Sequence, residues 1–367
     1  MKKVMLVFGT RPDAIKMCPL VKELKKRREL KTVVCISGQH REMLKEVLDI
    51  FEVYPDYDLD IMRKKQTLCD ITVEVLKGIE CVLTKERPDI VLVHGDTTTA
   101  FSAALACFYQ NIPIGHVEAG LRSNNIFEPF PEEYNRRAIS LMSSYDFAPT
   151  ETAKDNLVRE GKDKDKIFVT GNTVSDALKI TVKDDFCHSL LDWGRGKKLV
   201  ILTAHRRENI GATMNSIFSA VKKILSEFDD VCVLYPVHPN PLIRKIAYEE
   251  LGNNERVHLS DPIDAVTFHN ILNRSYMIIT DSGGIQEEAT LLGKPTVVLR
   301  DRTERPEGLS SGNLLLSGIN EKDIYTNIKR VINDSDLYKK MSMPSKVYGD
   351  GNASKIIVDA IIKILNS

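Results

Sequence analysis

The stretch IVLVHGDTTTAFSAALACFYQNIPIGHVE, residues 90–118, decides the fold. It opens on a β-branched run and turns at His94-Gly95-Asp96. Helical spacing follows over 98–110, and a second apolar run occupies 114–118. Strand, helix, strand in that order is a βαβ unit, which requires a parallel sheet. Working outward, the same alternation predicts strands at 3–8 and 32–37 and helices at 14–28 and 41–51. Near residue 170 the text changes: a connecting helix over 173–183 and a stretch of mixed polarity over 186–198. The alternation then restarts, with strands at 199–203, 231–236, 257–259, 277–280 and 296–299, and a last helix at 353–365. The segments VLVHGDTTTA (91–100) and IITDSGGIQE (278–287) share one layout of strand, small polar turn and helix start. We therefore expect an α/β protein of two similar doubly wound, Rossmann-like domains, residues 1–170 and 171–351.

Composition agrees with that size. A chain of 367 residues, 43% hydrophobic and 28% charged, is long enough for two globular domains and too apolar for a disordered one. The 51 basic residues balance the 51 acidic ones, which gives no support to nucleic-acid or membrane-surface binding. No run approaches the ~20 apolar residues of a membrane helix, and the apolar run at the N-terminus stops at Phe8, too short for a secretory signal. The seven cysteines are scattered, with no C-x-x-C pair. A reduced, cytoplasmic protein is the expectation.

In open α/β sheets, ligands bind beyond the carboxyl ends of the strands. The residues at those ends are Gly9-Thr10-Arg11-Pro12, His94-Gly95-Asp96-Thr97, Glu118-Ala119-Gly120, His205-Arg206-Arg207-Glu208, His238, and Asp281-Ser282-Gly283-Gly284. Ser282-Gly283-Gly284 follows an apolar strand and opens a helix, where free N–H groups and the helix dipole favour a phosphate. Arg11, Arg206, Arg207 and Arg305 strengthen the phosphate reading. The P-loop and G-x-G-x-x-G signatures are absent. Asp96 and Glu118 at strand ends, with Glu132 and Glu133 in the proline-rich segment beyond, are candidates for general acid and base. Helix capping competes for Asp96, and a first-turn charge for Glu132 and Glu133. His94 and His116 read as hydrogen-bonded loop histidines, since nothing completes a metal site. His205, beside two arginines, reads as a proton donor or phosphate partner.

Nine motifs in register resemble one family, the UDP-N-acetylglucosamine 2-epimerases. They are FGTRPDAIKMCPL (8–20), VHGDTTT (93–99), HVEAGLRS (116–123), PFPEEYNRR (129–137), VTGNTVSDAL (169–178), TAHRREN (203–209), YPVHPNP (235–241), TDSGGIQEEA (280–289) and RDRTERPEG (300–308). The resemblance implies a GT-B-like fold with the active site in the cleft between two Rossmann-like domains, and a C-terminal helix (352–367) that returns to the first domain. It implies reversible interconversion of UDP-N-acetylglucosamine and UDP-N-acetylmannosamine. In the non-hydrolysing branch, which the intact GTRPDAIK segment favours, UDP is eliminated to give 2-acetamidoglucal and then adds back. It implies no metal or nicotinamide cofactor, a homodimer, and a product used in surface polysaccharide synthesis.

Position by position, Asp96, Glu118, Glu132 and His205 match the family's catalytic residues, with the order of acid and base left open. Arg11, Lys16, Ser282, Gly283, Gly284 and Arg305 match diphosphate and sugar contacts. Glu288 matches the ribose contact, Phe268 the uracil neighbour, and His238 an active-site or activator contact. Gln39, Glu42, Lys65, Glu132, Arg206 and His238 match an activator site for a second UDP-N-acetylglucosamine. Asp13 stands where the family usually has Glu, one methylene longer, which alters any contact made there. Glu42 and Lys65 stand where relatives with an activator site carry Gln and Arg, so weaker or altered activation is expected. A hydrolysing epimerase, an epimerase of a diacetamido uronic-acid sugar nucleotide, a glycosyltransferase and a non-catalytic sensor are the competing readings.

Overall fold

The computed structural model describes residues 1–366 apart from 39, 40, 64, 65, 207 and 208, and leaves the side chains of 41–43 undescribed. The chain forms two compact units, Met1–Lys179 with Tyr348–Ser367, and Ile180–Val347. The first unit holds β1 (Lys2–Phe8), β2 (Leu30–Ile36), β3 (Tyr57–Asp58), β4 (Ile90–His94), β5 (Ile114–Val117), β6 (Tyr145–Ala148) and β7 (Ile167–Val169). They form one parallel sheet in the order β3-β2-β1-β4-β5-β6-β7. The second unit holds β8 (Lys198–Thr203), β9 (Val231–Pro236), β10 (Val257–Ser260), β11 (Met277–Thr280), β12 (Thr296–Val298) and β13 (Leu314–Leu316). Its order is β10-β9-β8-β11-β12-β13, again parallel.

The central strands read as unbroken apolar runs because helices cover both faces of a parallel sheet. Val4–Phe8 and the whole of β4 are buried. One face of the first sheet packs Met5, Val7, Val91 and Val93 against Val75, Ile79, Ala103, Ala104 and Cys107 of the covering helices. Alanines along Thr98–Tyr109 let that helix approach closely. The second sheet buries Val200, Leu202, Val233 and Tyr235 against Met214, Phe218 and Val221 of the helix Ala212–Glu227.

The final helix, Ala353–Asn366, packs on the helix Arg11–Lys25 of the first unit. Its start is capped by Asp176, whose two oxygens accept from the N–H groups of Ala353 (3.1 Å) and Ser354 (3.0 Å). Among the described residues, no helix is long and apolar enough to cross a membrane.

Candidate active site

In each sheet the strand order reverses once, between β1 and β4 and between β8 and β11. Loops leaving the strands on either side of such a point diverge and open a crevice. Most of the described candidates lie on the loops and helix starts that follow the strands at or beside these two points.

In the first unit, β1 turns at Gly9 into the helix Arg11–Lys25. A side chain at Gly9 would collide with Ser37 Oγ, so only glycine fits. Thr10 and Asp13 form a capping box, and the Asp13 carboxylate points inward. Its Oδ2 accepts from Thr10 N–H (3.3 Å) and Thr97 Oγ1 (3.3 Å), while its Oδ1 lies 3.5 Å from His94 Nδ1. Across the imidazole, His94 Nε2 lies 3.7 Å from Glu118 Oε2. That same oxygen accepts from Lys16 Nζ and, at 2.6 Å, from Asn172 Nδ2. Asp13, Lys16, His94 and Glu118 are all buried. Glu118 holds a left-handed backbone at φ 63°, a strained geometry for a residue with a side chain and one that clusters at functional sites.

Asp96 does not cap the helix that follows it. Thr97 is the cap, accepting from Ala100 N–H at 3.2 Å. The capping alternative for Asp96 is therefore wrong, and the residue is held differently. Arg136 donates to its Oδ2, and Asn135 donates to its backbone carbonyl at 2.8 Å. The Asp96 side chain is 23% exposed against 6% for Glu118, so it is the more open of the two carboxylates. Arg136 and Asn135 lie on the helix Glu132–Met142, which Glu132 opens half-buried. Glu133 is structural: fully buried, it accepts from Ser123 N–H (3.0 Å) and Arg137 Nε (2.9 Å) and pairs with Arg136. Arg11 is half-buried at the first position of its helix.

His116, read as a hydrogen-bonded histidine, bonds the Gly95 carbonyl at 2.7 Å, and its complete burial pushes its pKa down to about 4. His94 departs from that expectation, for neither ring nitrogen has a hydrogen-bond partner. Among the described residues, no group of three His, Cys, Asp or Glu side chains is arranged to hold a metal ion.

In the second unit the organising residue is one that the sequence placed at a strand end without giving it a role. Asp281 follows β11 and is fully buried. Its Oδ2 accepts from the backbone N–H of His205 (2.8 Å) and of Arg206 (2.9 Å) and from Asn209 Nδ2 (3.0 Å). Its Oδ1 lies 3.3 Å from His205 Nδ1, and its carbonyl accepts from Arg206 Nε at 2.8 Å. The loop after β8 is thus tied to the loop after β11. The His205 ring stacks on His238 from the loop after β9, with centroids 5.8 Å apart and planes 9° from parallel.

Ser282 stands at the start of the helix Gly283–Leu292 without capping it through its side chain. The space a side chain would take at Gly284 is open, whereas at Gly283 it would strike the Arg305 guanidinium. Arg305 is buried and held by Glu287 (2.8 Å) and Glu304 (2.5 Å). One turn along the helix, Glu288 Oε1 lies 3.6 Å from His269 Nε2, and its Oε2 is buried with no partner. A buried carboxylate oxygen without a donor is costly and suits a ligand hydroxyl. Phe268, next to His269, packs against the apolar group around Ile271, Leu272 and Ile285.

Of the activator candidates, Gln39, Lys65 and the Glu42 side chain lie outside the described residues. Glu132, Arg206 and His238 are placed as above.

Two parallel, doubly wound units, each with polar groups at its switch point, define the GT-B class, and solved structures bear this out. The S. aureus MnaA–UDP co-structure overlays with a TM-score of 0.96 at 49% identity, covering 100% of this chain and 97% of that one. The Neisseria meningitidis UDP-GlcNAc 2-epimerase bound to UDP-GlcNAc overlays at 0.94 and 44% identity, covering 98% and 100%. The UDP-N-acetylglucosamine 2-epimerase of Bacillus subtilis (strain 168) is 53% identical over 360 residues, 98% of this chain and 95% of its own. The profile described as UDP-N-acetylglucosamine 2-epimerase matches residues 22–362, and the chain belongs to that family.

Proposed function

We propose that this protein interconverts UDP-N-acetylglucosamine and UDP-N-acetylmannosamine without hydrolysis. UDP is eliminated to 2-acetamidoglucal and adds back after the C2 proton has returned to the opposite face. Two observations, each made within one unit, support this reading: buried, counter-charged carboxylates beyond the strands of the first, and an open, glycine-lined helix start in the second.

In the forward step a carboxylate takes the C2 proton. The C2–H electron pair becomes the C1=C2 bond, and the C1–O pair leaves with the β-phosphate. Asp96 and Glu118, with Glu132, supply the groups that take and return that proton. Arg136 and Lys16 hold the first two of them. Charge grows on the departing diphosphate, so fixed donors aimed at it lower the barrier. Ser282, Gly283 and Gly284 offer N–H groups and the helix dipole there. Arg11 and Arg305 add positive charge, and His205, steadied by Asp281, donates to the phosphate oxygen. Glu288 takes the ribose hydroxyls with its unpartnered oxygen, and Phe268 lies beside the uracil. The chain's own acids, bases and N–H donors suffice for every step in this scheme. We further propose a cytoplasmic homodimer whose product feeds surface polysaccharide synthesis, with a weakened activator response.

Proton NMR with UDP-N-acetylglucosamine in deuterated water tests the reading. Deuterium at C2 together with UDP-N-acetylmannosamine is expected. Free N-acetylmannosamine and UDP would mean hydrolysis instead, and an unchanged spectrum would overturn the assignment.

A further inference from the structure

His94 is a buried imidazole that the scheme above does not use. His94 ends β4 and is 4% exposed, with no hydrogen-bond partner at either nitrogen. A carboxylate nevertheless faces each: Asp13 Oδ1 at 3.5 Å from Nδ1 and Glu118 Oε2 at 3.7 Å from Nε2. Both carboxylates are fixed from behind. Asp13 is held by Thr10 and Thr97, and Glu118 by Lys16 and Asn172. The two separations are therefore set by the framework, each a few tenths of an ångström beyond a hydrogen bond. Catalytic hydrogen bonds are commonly long in a ligand-free protein and tighten when substrate binds. A side chain needed only to fill this space would be apolar, since burying polar atoms without partners is costly.

We propose that His94 is a positioning residue that holds and moves the proton Glu118 gains and loses, with Asp13 orienting its ring. The inference rests on the epimerisation proposed above. In one state His94 is doubly protonated, donating Nδ1–H to Asp13 and Nε2–H to Glu118. When Glu118 must act as an acid, the proton passes from Nε2 to Oε2 and the electron pair stays on Nε2. The ring is left neutral, its Nδ1–H still donated to Asp13. Return of the proton to Nε2 restores the carboxylate. The orienting carboxylate fixes which nitrogen keeps its proton, as in a nucleophile triad. Among the described residues, the charged and titratable groups facing His94 are Asp13 from the helix Arg11–Lys25, Glu118 beyond β5 with Lys16 bonded to it, and His116 within β5.

The test compares His94→Gln, His94→Asn, Asp13→Asn and Asp13→Glu with the unaltered protein. Each amide at position 94 keeps a donor near one ring nitrogen but cannot carry a proton. Both are expected to lower kcat by about 100-fold, with KM changed less than about threefold and one limb of the kcat–pH profile lost. Asp13→Glu is expected to keep most of kcat, and Asp13→Asn to behave like the position-94 variants. Nitrogen-15 NMR of the histidine rings reads the coupling without turnover: the His94 titration midpoint should fall in Asp13→Asn and again in Glu118→Gln. A His94→Gln variant with undiminished kcat and an unchanged pH profile would overturn the proposal. So would a His94 midpoint that neither carboxylate substitution moves. If the unaltered protein fails to exchange the C2 hydrogen, the epimerase reading falls on its own, and the NMR arm still decides whether His94 is coupled to both carboxylates.

Discussion

Replacing Asp281 by asparagine removes one charge from the interior of the second unit and leaves its shape nearly intact. Three N–H donors, from His205, Arg206 and Asn209, converge on Oδ2 at 2.8–3.0 Å, and the residue is fully buried. A hydrogen bond to a charged acceptor contributes about 1.5–3 kcal/mol, against about 0.5–1.5 kcal/mol for a neutral one. If each of the three weakens by about 1 kcal/mol, the loss is about 3 kcal/mol, reduced somewhat because a buried charge no longer has to be desolvated. We expect Asp281→Asn to cost about 2 kcal/mol, and Asp281→Ala, which strands all three donors, about 3–5 kcal/mol. The amide also places either a competing donor or a weaker acceptor opposite His205 Nδ1, now 3.3 Å from a carboxylate oxygen. Since a displacement of about 1 Å in a positioned group can cost about 100-fold in rate, kcat should fall about that far in Asp281→Asn. Urea unfolding read by tryptophan fluorescence reports the second unit, because Trp193 lies in it. A coupled epimerisation assay reports kcat, and UDP titration checks that binding survives within about tenfold. An asparagine variant within about 0.5 kcal/mol of the parent and fully active would refute the reasoning. The loop after β8 would then be held by something other than this carboxylate.

Stability should also fall on acidification through His116, whose folded pKa of about 4 lies below its ordinary 6.5. The unfolded chain binds this proton first, so the contribution is complete above pH 6.5 and lost as pH drops toward 4. The total is about 3 kcal/mol, and His116→Gln should flatten that stretch of a urea-stability profile. Gly284→Ala meets open space and should leave the melting temperature unchanged while raising the Kd for UDP about tenfold or more, by calorimetry. Gly283→Ala strikes Arg305 and should lower both stability and UDP affinity. Asp96→Asn should reduce turnover by about 10²–10⁴-fold with UDP binding nearly kept; near-normal turnover would remove Asp96 from the acid–base scheme.

The doubly wound fold was legible because central parallel strands must be apolar on both faces. The run at 90–94 is β4 to the residue, and those at 231–236 and 277–280 coincide with β9 and β11. The strands the pattern did not reveal are those where that requirement is broken or barely applies. β6 is Tyr-Asp-Phe-Ala, and its Asp146 is fully buried, paired with Lys162 at 3.2 Å and accepting from Ser143 Oγ at 2.7 Å. A charge in mid-strand erases the apolar signal even where the charge is neutralised. β3 is a two-residue edge, and β7 and β13 are three-residue ones, too short for any periodicity to register.

The site was legible only as far as strand ends reach. Asp96, Glu118, His205 and Ser282 follow their strands directly, so a rule about carboxyl ends finds them. The partners that make them a site depend on which strands are neighbours, and that is not written locally. Lys16 meets Glu118 across 102 positions, and Asp281 meets His205 across 76. Asp13 faces His94 only because β1 lies beside β4, and Asp281 reaches the His205 loop only because β8 lies beside β11. Those two adjacencies are the points where each sheet reverses its order of growth. A histidine at the end of an apolar strand and an aspartate before Ser-Gly-Gly look ordinary as text. Each becomes a second support for a candidate catalytic group once the crossover sets a loop from elsewhere in the chain against it.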